Sequence, residues 1–238
     1  MNSYDFFNQE LQKANLSLEP AEVEKLLHFT DLLLEANQTV NLTAITNLEE
    51  VLIKHLLDSL LIINFPEYVT AGSILDLGSG AGIPGLPLAI TSPSKLFVSI
   101  DATLKKIKFQ EQASQVLKLQ NYTFQWGRAE ELAHQPEFRA RFNLVTARAV
   151  AAINVLAELT LPFIQIGGYV ILYKSKDYQS ELQTAENAIN TLGGRISRVE
   201  QAELPSQYGC RSFIILKKVN PTPSKYPRQP SALQKRPL

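Results

Sequence analysis

The chain has 238 residues and zero formal net charge, with 45% hydrophobic and 19% charged residues. This length can bury one sizeable core, so a globular protein is predicted. No apolar run approaches the roughly 18–20 residues of a membrane span, and the first residues do not resemble a signal peptide. A single cysteine excludes a disulfide framework and any zinc site with several Cys ligands. We therefore expect a cytoplasmic protein without membrane association.

Charge is distributed unevenly along the chain. Residues 1–70 carry 3 basic and 11 acidic side chains (net −8), residues 71–216 carry 14 and 12 (net +2), and residues 217–238 carry 6 and none (net +6). An acid-free basic segment attracts a phosphate backbone, whereas an acidic segment is repelled by it. The C-terminal end is therefore a candidate contact for nucleic acid.

Apolar residues in the first 70 positions recur with helical spacing, which predicts an N-terminal helical cap over residues 1–70. Pro20 suits the first turn of the second helix. Asn47 and Glu50 have the spacing of a capping box, so the third helix is predicted to start near residue 48. The predicted helical segments are 4–16, 20–37 and 47–65, followed by a linker at 66–72.

Strands alternate with helices in the predicted main domain, residues 71–218, which indicates a mostly parallel sheet covered on both faces. Two late strands, 195–204 and 208–219, are joined without a helix and predict an antiparallel hairpin at one sheet edge. The predicted fold class is α/β, with a seven-stranded Rossmann-like sheet. The other predicted strands are 73–78, 96–101, 122–127, 142–149 and 167–175, and the helices that follow them include 104–119, 129–133, 151–164 and 177–193.

A glycine-rich stretch, SILDLGSGAGIPG at residues 73–85, follows the first predicted strand. Glycines at this place let the main chain approach a ligand closely. Gly80, Gly82 and Gly85 match the dinucleotide-binding pattern G-x-G-x-x-G, and Asp101 follows at a suitable distance to bind a ribose hydroxyl. A dinucleotide and S-adenosylmethionine are both possible ligands at this point, and a turn without any ligand is a third reading.

Three features favour S-adenosylmethionine. Asp76 lies two residues before the first glycine, as in the D-x-G-x-G-x-G form associated with class I methyltransferases, in which the acid lies near the amino-acid end of the ligand. Pro84 and Pro87 are unfavourable in a helix that must open sharply around a diphosphate. The predicted edge hairpin also matches the methyltransferase form of the sheet. A class I S-adenosylmethionine-dependent methyltransferase is therefore favoured over a dinucleotide-binding protein.

Seven stretches carry recognisable motifs, in order and nearly end to end: NLTAI (41–45), IKHLLDSL (53–60), DLGSGAGIPGLPLAI (76–90), GRAEEL (127–132), TARAV (146–150), LYKS (172–175) and YPRQPSALQKRPL (226–238). Together they resemble the RsmG (GidB) family of small-subunit ribosomal RNA guanine-N7 methyltransferases. The proline-containing loop GAGIPGLPLAI is the most specific of them, whereas Ser231 and Ala232 depart from the glycine-containing turn expected in the tail, and Cys210 precedes Arg211 where other residues are common.

The resemblance implies S-adenosylmethionine as cofactor and N7 of a guanosine in 16S ribosomal RNA as methyl acceptor. It also implies a set of cofactor contacts, each with a structural alternative: turn geometry for the glycines, a helix cap for Asp101, and a solvated helix-start carboxylate for Glu130. We expect Asp101 to accept from the ribose hydroxyls, and residues after the third strand to frame the adenine. The implied cofactor contacts are Gly78, Gly80, Ile83, Asp101, Ala102, Thr103, Ala129, Glu130 and Arg148.

Arg148 is the predicted catalytic residue, because a charged fork at the end of the fourth strand lies where substrate and cofactor meet. A functional partner is favoured over an internal salt bridge, since burying an unpaired guanidinium is costly. Lys174, Arg128 and Arg211 are candidate RNA contacts. The favoured role of His55 is a hydrogen bond with Asp58 that ties the cap to the sheet. The alternative is a role at the opening where the substrate binds. No metal site is predicted.

The tail, residues 219–238, is read either as a disordered end or as an arm that packs back or grips RNA, with Tyr226 available to stack on an unpaired base. The expected partner is the 16S rRNA of the small ribosomal subunit or of its assembly intermediate, and a monomer is expected. Three other functions stay open at this point: a nicotinamide-dependent oxidoreductase, a ribosome-assembly factor without methyl transfer, and a methyltransferase for small molecules or proteins.

Overall fold

The computed structural model describes residues 2–148 and 151–238. Ala149 and Val150, the end of the family-like stretch 146–150, lie outside the described residues. Within the described chain, no helix has the length and apolar character needed to cross a membrane.

The N-terminal region is helical, as predicted, and its helices begin at local signals. Asn2 accepts from the Asp5 N–H at the start of α1, and Glu19 forms a capping box with Glu22 before α2. Asn47 accepts from the N–H three residues on and begins α3. The elements are α1 Ser3–Lys13, α2 Pro20–Val40, α3 Leu48–Val51, a π-helical segment Leu52–Leu57, α4 Asp58–Leu60 and α5 Pro66–Val69.

The short helix α5 corrects the prediction of a linker at residues 66–72. Pro66 occupies its first turn, and Glu67 and Tyr68 are buried. The Tyr68 hydroxyl donates to Ser92 Oγ at 2.8 Å, and Glu67 accepts from Arg198 at 2.8 Å. Because these partners lie 24 and 131 residues away, the local sequence pattern does not reveal that the segment is folded against the sheet.

A seven-stranded sheet forms the centre of the molecule, with the strand order β3-β2-β1-β4-β5-β7-β6. Strands β1 to β5 are parallel, whereas β7 pairs antiparallel with both β5 and β6. The predicted edge hairpin and mostly parallel sheet are therefore confirmed. The strands are β1 Ser73–Leu77, β2 Leu96–Asp101, β3 Tyr122–Trp126, β4 Phe142–Arg148, β5 Ile164–Lys174, β6 Gly194–Glu203 and β7 Cys210–Lys218.

Helices cover both faces of the sheet and form two apolar clusters. One cluster joins the N-terminal helices to one face, with Phe29 against Phe109 at a ring-centroid distance of 6.4 Å. The other joins α9 and α10 to the opposite face. The helices of this region are α6 Gly85–Ile90, α7 Leu104–Val116, α8 Ala129–Leu132, α9 Ile153–Thr160, a 3₁₀ turn Leu161–Phe163, α10 Gln179–Thr191 and α11 Pro230–Lys235.

The C-terminal tail packs back on the sheet domain. Glu158, which is 1% exposed, accepts from the Arg228 N–H (2.8 Å) and from its guanidinium (2.6 and 2.9 Å). Arg139 donates to three carbonyls of the tail. Tyr226 is only 5% exposed, so the expectation that it stacks on an RNA base is wrong, because its ring is already buried against the second apolar cluster.

Candidate active site

The carboxyl ends of the five parallel strands lie at one edge of the sheet, the place where open α/β sheets bind ligands. β1 pairs in register with β2 on one side and β4 on the other. Gly78, Asp101 and Arg148 each follow the last position of this shared register, so the fold makes them neighbours. Ala129 begins α8, three residues after β3, and Lys174 ends β5. The structure thus brings most of the predicted site residues to one edge.

Residues 78–85 form a turn that presents main chain at this edge. The Gly80 N–H donates to Asp101 Oδ2 at 2.9 Å. Gly80 has φ +58°, and a Cβ at this position would have no atom within 4 Å, so the main chain faces open space. Gly78 also has a positive φ, and Ile83 is half-buried against the apolar core. A ligand can therefore approach the backbone of this turn closely.

Asp101 ends β2 and holds the turn in place. Its Oδ2 accepts from Gly80, and its Oδ1 accepts from the Thr103 N–H at 2.7 Å, just before α7. The side chain is 7% exposed, and each carboxylate oxygen retains acceptor capacity for a hydroxyl. The helix cap, which was the structural alternative for Asp101, is therefore present. The same carboxylate also keeps the capacity to bind a ligand. Ala102 and Thr103 lie exposed beside it.

A buried polar network beneath the turn was missed from the sequence. Gln110 of α7, fully buried, donates through Nε2 to Ser79 Oγ and to Gly80 O, both at 2.8 Å. Its Oε1 accepts from the hydroxyl of Ser99 on β2. These bonds connect the turn to both a helix and a strand, so they make its geometry rigid. In the sequence, the signal for this network is a glutamine at a position of the helix that the apolar periodicity assigns to the core.

Asp76 is buried beneath the glycine turn. The carboxylate is 1% exposed, and it accepts from the Gly85 N–H at 2.8 Å and from Thr146 Oγ1 at 3.3 Å. The carboxylate binds the start of α6, at the end of the glycine turn, and its nearness to the amino-acid end of the ligand stays a prediction. A helix that holds a diphosphate needs a free N–H and no negative charge at its start. The dinucleotide alternative is therefore disfavoured.

Burial raises the pKa of Asp76 from 3.8 to about 7. A carboxyl group with a raised pKa contributes stability below its unfolded pKa, and this contribution is lost as the pH rises toward 7. Asp76→Asn keeps an acceptor for Gly85 and removes this loss. We expect the unfolding free energy of the variant, relative to wild type, to increase from about pH 4 to about pH 7.

Urea unfolding of both proteins across this pH range measures the difference. The slope from His55, which has the opposite sign because its pKa is lowered to about 4, is present in both proteins and cancels. A difference that stays constant across the range would show that Asp76 is ionised in the folded protein throughout.

The end of β3 contributes a partly exposed corner. Ala129 and Glu130 are half-buried in the first turn of α8, and Arg128 is exposed at its N-cap. Trp126, the only tryptophan of the chain, is 56% exposed, and its Nε1–H donates to Ala102 O at 3.1 Å. Trp126 therefore lies beside the predicted ligand contacts and can report binding by its fluorescence.

Arg148 at the end of β4 connects the sheet to the helical cap. Its Nη1 lies 3.3 Å from Asp58 Oδ2, and its Nη2 donates to Lys54 O (2.7 Å) and to His55 Nδ1 (3.0 Å). The position of Arg148 at a strand end favours a functional partner over an internal salt bridge. The structure shows the internal ion pair, so that preference is wrong for the pairing, although Arg148 still borders the open mouth of the site. Its catalytic role stays a prediction.

His55 makes no hydrogen bond with Asp58, so the predicted pair is wrong. The helix is π-helical over Leu52–Leu57, and its wider turn displaces side chains from the ordinary i,i+3 alignment. Because Arg148 can only donate, His55 Nδ1 accepts from it, and Nε2–H donates to Thr43 Oγ1 at 2.7 Å. Burial and the Arg148 charge lower the pKa of His55 to about 4. The histidine is neutral and helps to tie the cap to the sheet through Arg148.

The other predicted RNA contacts also have internal partners. Lys174 Nζ lies 2.6 Å from Glu181 Oε2 and donates to Ala151 O, whereas Arg211 Nε donates to Asp58 Oδ1 at 2.9 Å. Both side chains still border the same opening. Their contacts with RNA stay predictions.

These side chains surround a cavity of about 460 Å³ at the ends of β4, β5 and β7. A larger cavity of about 540 Å³ lies between α2 and α7 and includes none of the predicted site residues, so we do not assign it to the site. Among residues 2–148 and 151–238, no cluster of three or more His, Cys, Asp or Glu side chains is placed to hold a metal ion. The smaller cavity is lined by Asp58, Arg148, Ala151, Tyr173, Lys174, Ser175 and Arg211.

A sequence model of the GidB family, described as rRNA small subunit methyltransferase G, matches residues 22–210. The chain belongs to the GidB family. A relative from Moorella thermoacetica, named ribosomal RNA small subunit methyltransferase G, is 42% identical over 94% of this chain and 93% of its own. The protein of the same name from Bacillus subtilis is 36% identical over 98% of this chain and 97% of its own. The motif-based resemblance is thereby confirmed.

Solved structures support the fold of this GidB-family chain. A protein from Klebsiella pneumoniae described as a candidate O-methyltransferase superposes with a TM-score of 0.56 at 13% identity, over 88% of this chain and 94% of that one. A candidate RNA methyltransferase from Pyrococcus horikoshii gives 0.51 at 11% identity, over 68% and 82%. At such low identity the likeness concerns the fold alone, and it confirms the predicted fold class.

Proposed function

We propose that this GidB-family chain transfers a methyl group from S-adenosylmethionine to N7 of a guanosine in the 16S rRNA of the small ribosomal subunit. The observation that carries the proposal is the shared edge of β1, β2 and β4. There a bare glycine turn and the Asp101 carboxylate lie next to the end of β4, where Arg148 borders a cavity of about 460 Å³, large enough for a nucleobase. The names of the relatives supply the class of RNA.

The residues present fit S-adenosylmethionine. The open space above Gly80 leaves room for a ligand against the main chain, and Asp101 keeps acceptor capacity for two ribose hydroxyls. The exposed corner at the end of β3 offers Ala129 and Glu130 to the adenine. We propose that the cofactor contacts are Gly78, Gly80, Ile83, Asp101, Ala102, Thr103, Ala129, Glu130 and Arg148.

When bound, S-adenosylmethionine supplies an electrophilic methyl group. Guanine N7 has an in-plane lone pair and carries no proton at neutral pH, so the reaction needs no general base. The work of the protein is to hold N7 at attacking distance, for which Arg148 provides a fixed hydrogen-bond donor. The purine gains the positive charge that the sulfonium loses as it leaves as a thioether, so the guanidinium serves to position the base and does not stabilise that charge. His55 suits this scheme, because both ring nitrogens are bonded and the neutral ring takes no part in proton transfer.

The rRNA is proposed to approach the strand edge, with Arg128, Lys174, Arg211 and the vicinity of His55 as contacts. In the tail, Lys225, Lys235 and Arg236 are exposed although Tyr226 is buried, so the packed tail still presents positive charge to phosphates.

We expect the protein to act in the cytoplasm as a monomer. We also propose that the chain divides into a cap (1–70), a main domain (71–218) and a tail (219–238).

The direct test is incubation of the protein with labelled S-adenosylmethionine and small subunits from a strain that lacks this gene. We expect label in 16S rRNA, at one guanosine, and mass mapping of the nucleoside should give N7-methylguanosine. Label on protein, or on another base atom, would overturn the proposed substrate. Binding to small subunits without any transfer would favour an assembly factor instead.

Asp101→Ala tests the proposed cofactor contact. Two hydrogen bonds to a charged acceptor would be lost, so we expect the affinity for S-adenosylmethionine to fall about 100-fold. Titration followed by Trp126 fluorescence measures this affinity without any RNA. Glu131→Ala, an exposed carboxylate on α8, is the matched control and should bind as wild type does. Wild-type affinity in Asp101→Ala would exclude a ribose contact.

A further inference from the structure

An unusual acid–arginine pair lies in the wall of the 460 Å³ cavity. Asp58 Oδ2 and Arg148 Nη1 are 3.3 Å apart, and within the described residues neither atom makes a hydrogen bond. Asp58 is 1% exposed. Buried polar atoms are nearly always hydrogen-bonded, so two such atoms side by side need an explanation.

The remaining atoms of the pair are held firmly. Arg211 donates to Asp58 Oδ1 at 2.9 Å, and Arg148 Nη2 donates to Lys54 O and to His55. These contacts fix both side chains and leave Asp58 Oδ2 free next to Arg148 Nη1, while Oδ1 keeps a second acceptor site beside its bond with Arg211. The pair is therefore preorganised to bind a group that carries an acceptor next to a donor.

We propose that Asp58 and Arg148 recognise the Watson–Crick edge of the target guanine, with Arg148 donating to O6 and Asp58 accepting from N1–H and N2–H₂. This inference rests on the proposed function and adds the residue that selects guanine. Unpaired bases in RNA are commonly recognised through this edge. A guanine has its acceptor O6 directly beside its donor N1–H, which is the complement of the Arg148–Asp58 pair.

Other ligands fit this pair less well. Adenine carries an amino donor in place of O6 and an acceptor in place of N1–H. Its donor would face the Arg148 donor and its acceptor would face the Asp58 carboxylate, so buried polar groups would stay unpaired. A phosphate oxygen on Arg148 would lie close to the Asp58 carboxylate and be repelled by it. The pair thus favours a neutral guanine over an anion.

The order of the strands sets the orientation of the base. Along the sheet edge come the glycine turn after β1, then Arg148 on β4, then Asp58, which Arg211 holds at the start of β7. On a purine, N7, O6 and N1 follow one another in the same order. With O6 on Arg148 and N1–H on Asp58, N7 turns toward the glycine turn, where the methyl donor is proposed to lie.

Inosine, which lacks the N2 amino group but keeps N7, tests this inference. Small subunits are assembled with 16S rRNA that carries either guanosine or inosine at the mapped target position. We expect the kcat/KM of the wild-type protein to favour guanosine about 10-fold, since a hydrogen bond to a charged acceptor is lost with inosine. In Asp58→Asn the side chain no longer presents a carboxylate, so this ratio should fall close to one.

Glu67→Gln is the matched control, because Glu67 is another buried carboxylate bound to an arginine, remote from the cavity. Its guanosine-to-inosine ratio should equal that of wild type, whatever its stability. A wild-type ratio near one, which does not depend on the folding of any variant, would overturn the inference, as would an unchanged ratio in Asp58→Asn. Absence of transfer to guanosine by the wild-type protein would instead refute the proposed function.

Discussion

Arg148→Ala is expected to abolish most methyl transfer and to destabilise the protein. Misplacement of a reacting group by about 1 Å can cost about 100-fold in rate, so we expect a loss of about this size when the base is no longer positioned. The substitution also leaves the buried Asp58 without one of its two cationic partners and frees Lys54 O. Breaking a buried ion pair costs about 3–5 kcal/mol, and because Arg211 still holds Asp58 we expect about 3 kcal/mol.

Arg148→Lys separates the two effects. A lysine keeps a positive charge opposite Asp58 but lacks the fork that reaches Lys54 O and His55 as well. We expect it to recover about half of the lost stability in urea unfolding while transfer stays impaired. Transfer that returns in proportion to stability would show that Arg148 acts only by holding the cap on the sheet.

Glu158→Ala is expected to release the C-terminal tail. The Glu158 carboxylate is buried and accepts three close bonds from Arg228. Its loss leaves the Arg228 main-chain N–H without a partner and the guanidinium with only its bond to Arg236 O. We expect the unfolding free energy to fall by about 3 kcal/mol, and trypsin to cut faster after Lys225 and Arg228. Urea unfolding and timed proteolysis measure the two effects.

Glu186→Ala provides the comparison, because Glu186 is an exposed carboxylate on α10. Its unfolding free energy should stay within about 0.5 kcal/mol of wild type, with unchanged proteolysis. If Glu158→Ala behaves in the same way, the tail is held by its apolar contacts, and the Arg228 ion pair is dispensable.

Much of the fold follows from local pattern. The limits of β2 agree with the sequence to the residue, and the alternation of strands and helices predicted the parallel sheet and its edge hairpin. Errors occurred where distant partners decide the outcome. β5 begins at Ile164, inside a segment predicted as helix, because Ile164 pairs with Phe142 ahead of a register shift. The π-helical segment was not foreseen, since its sequence reads as an ordinary helix.

The residues of the candidate site also fall into those that the sequence predicted and those that it did not. The glycine turn and the residues at strand ends, such as Asp101 and Arg148, could be found because motifs and strand ends are local features. Gln110 and Asp58 could not, because each looks like an ordinary helical residue until its partners are known. The partners of Asp76 were not predicted for the same reason: Gly85 and Thr146 reach it only because a helix and a neighbouring strand pack against it.

Periodicity, composition and motif order were thus enough for the α/β class, the family and the edge of the sheet that carries the site, because each depends on residues close together in the chain. The pairing of Arg148 with Asp58, the neutral state of His55 and the burial of Tyr226 depended on the folded molecule. Arg148 and His55 are 93 residues apart, and their contact forms only when the cap packs on the sheet and excludes water from both.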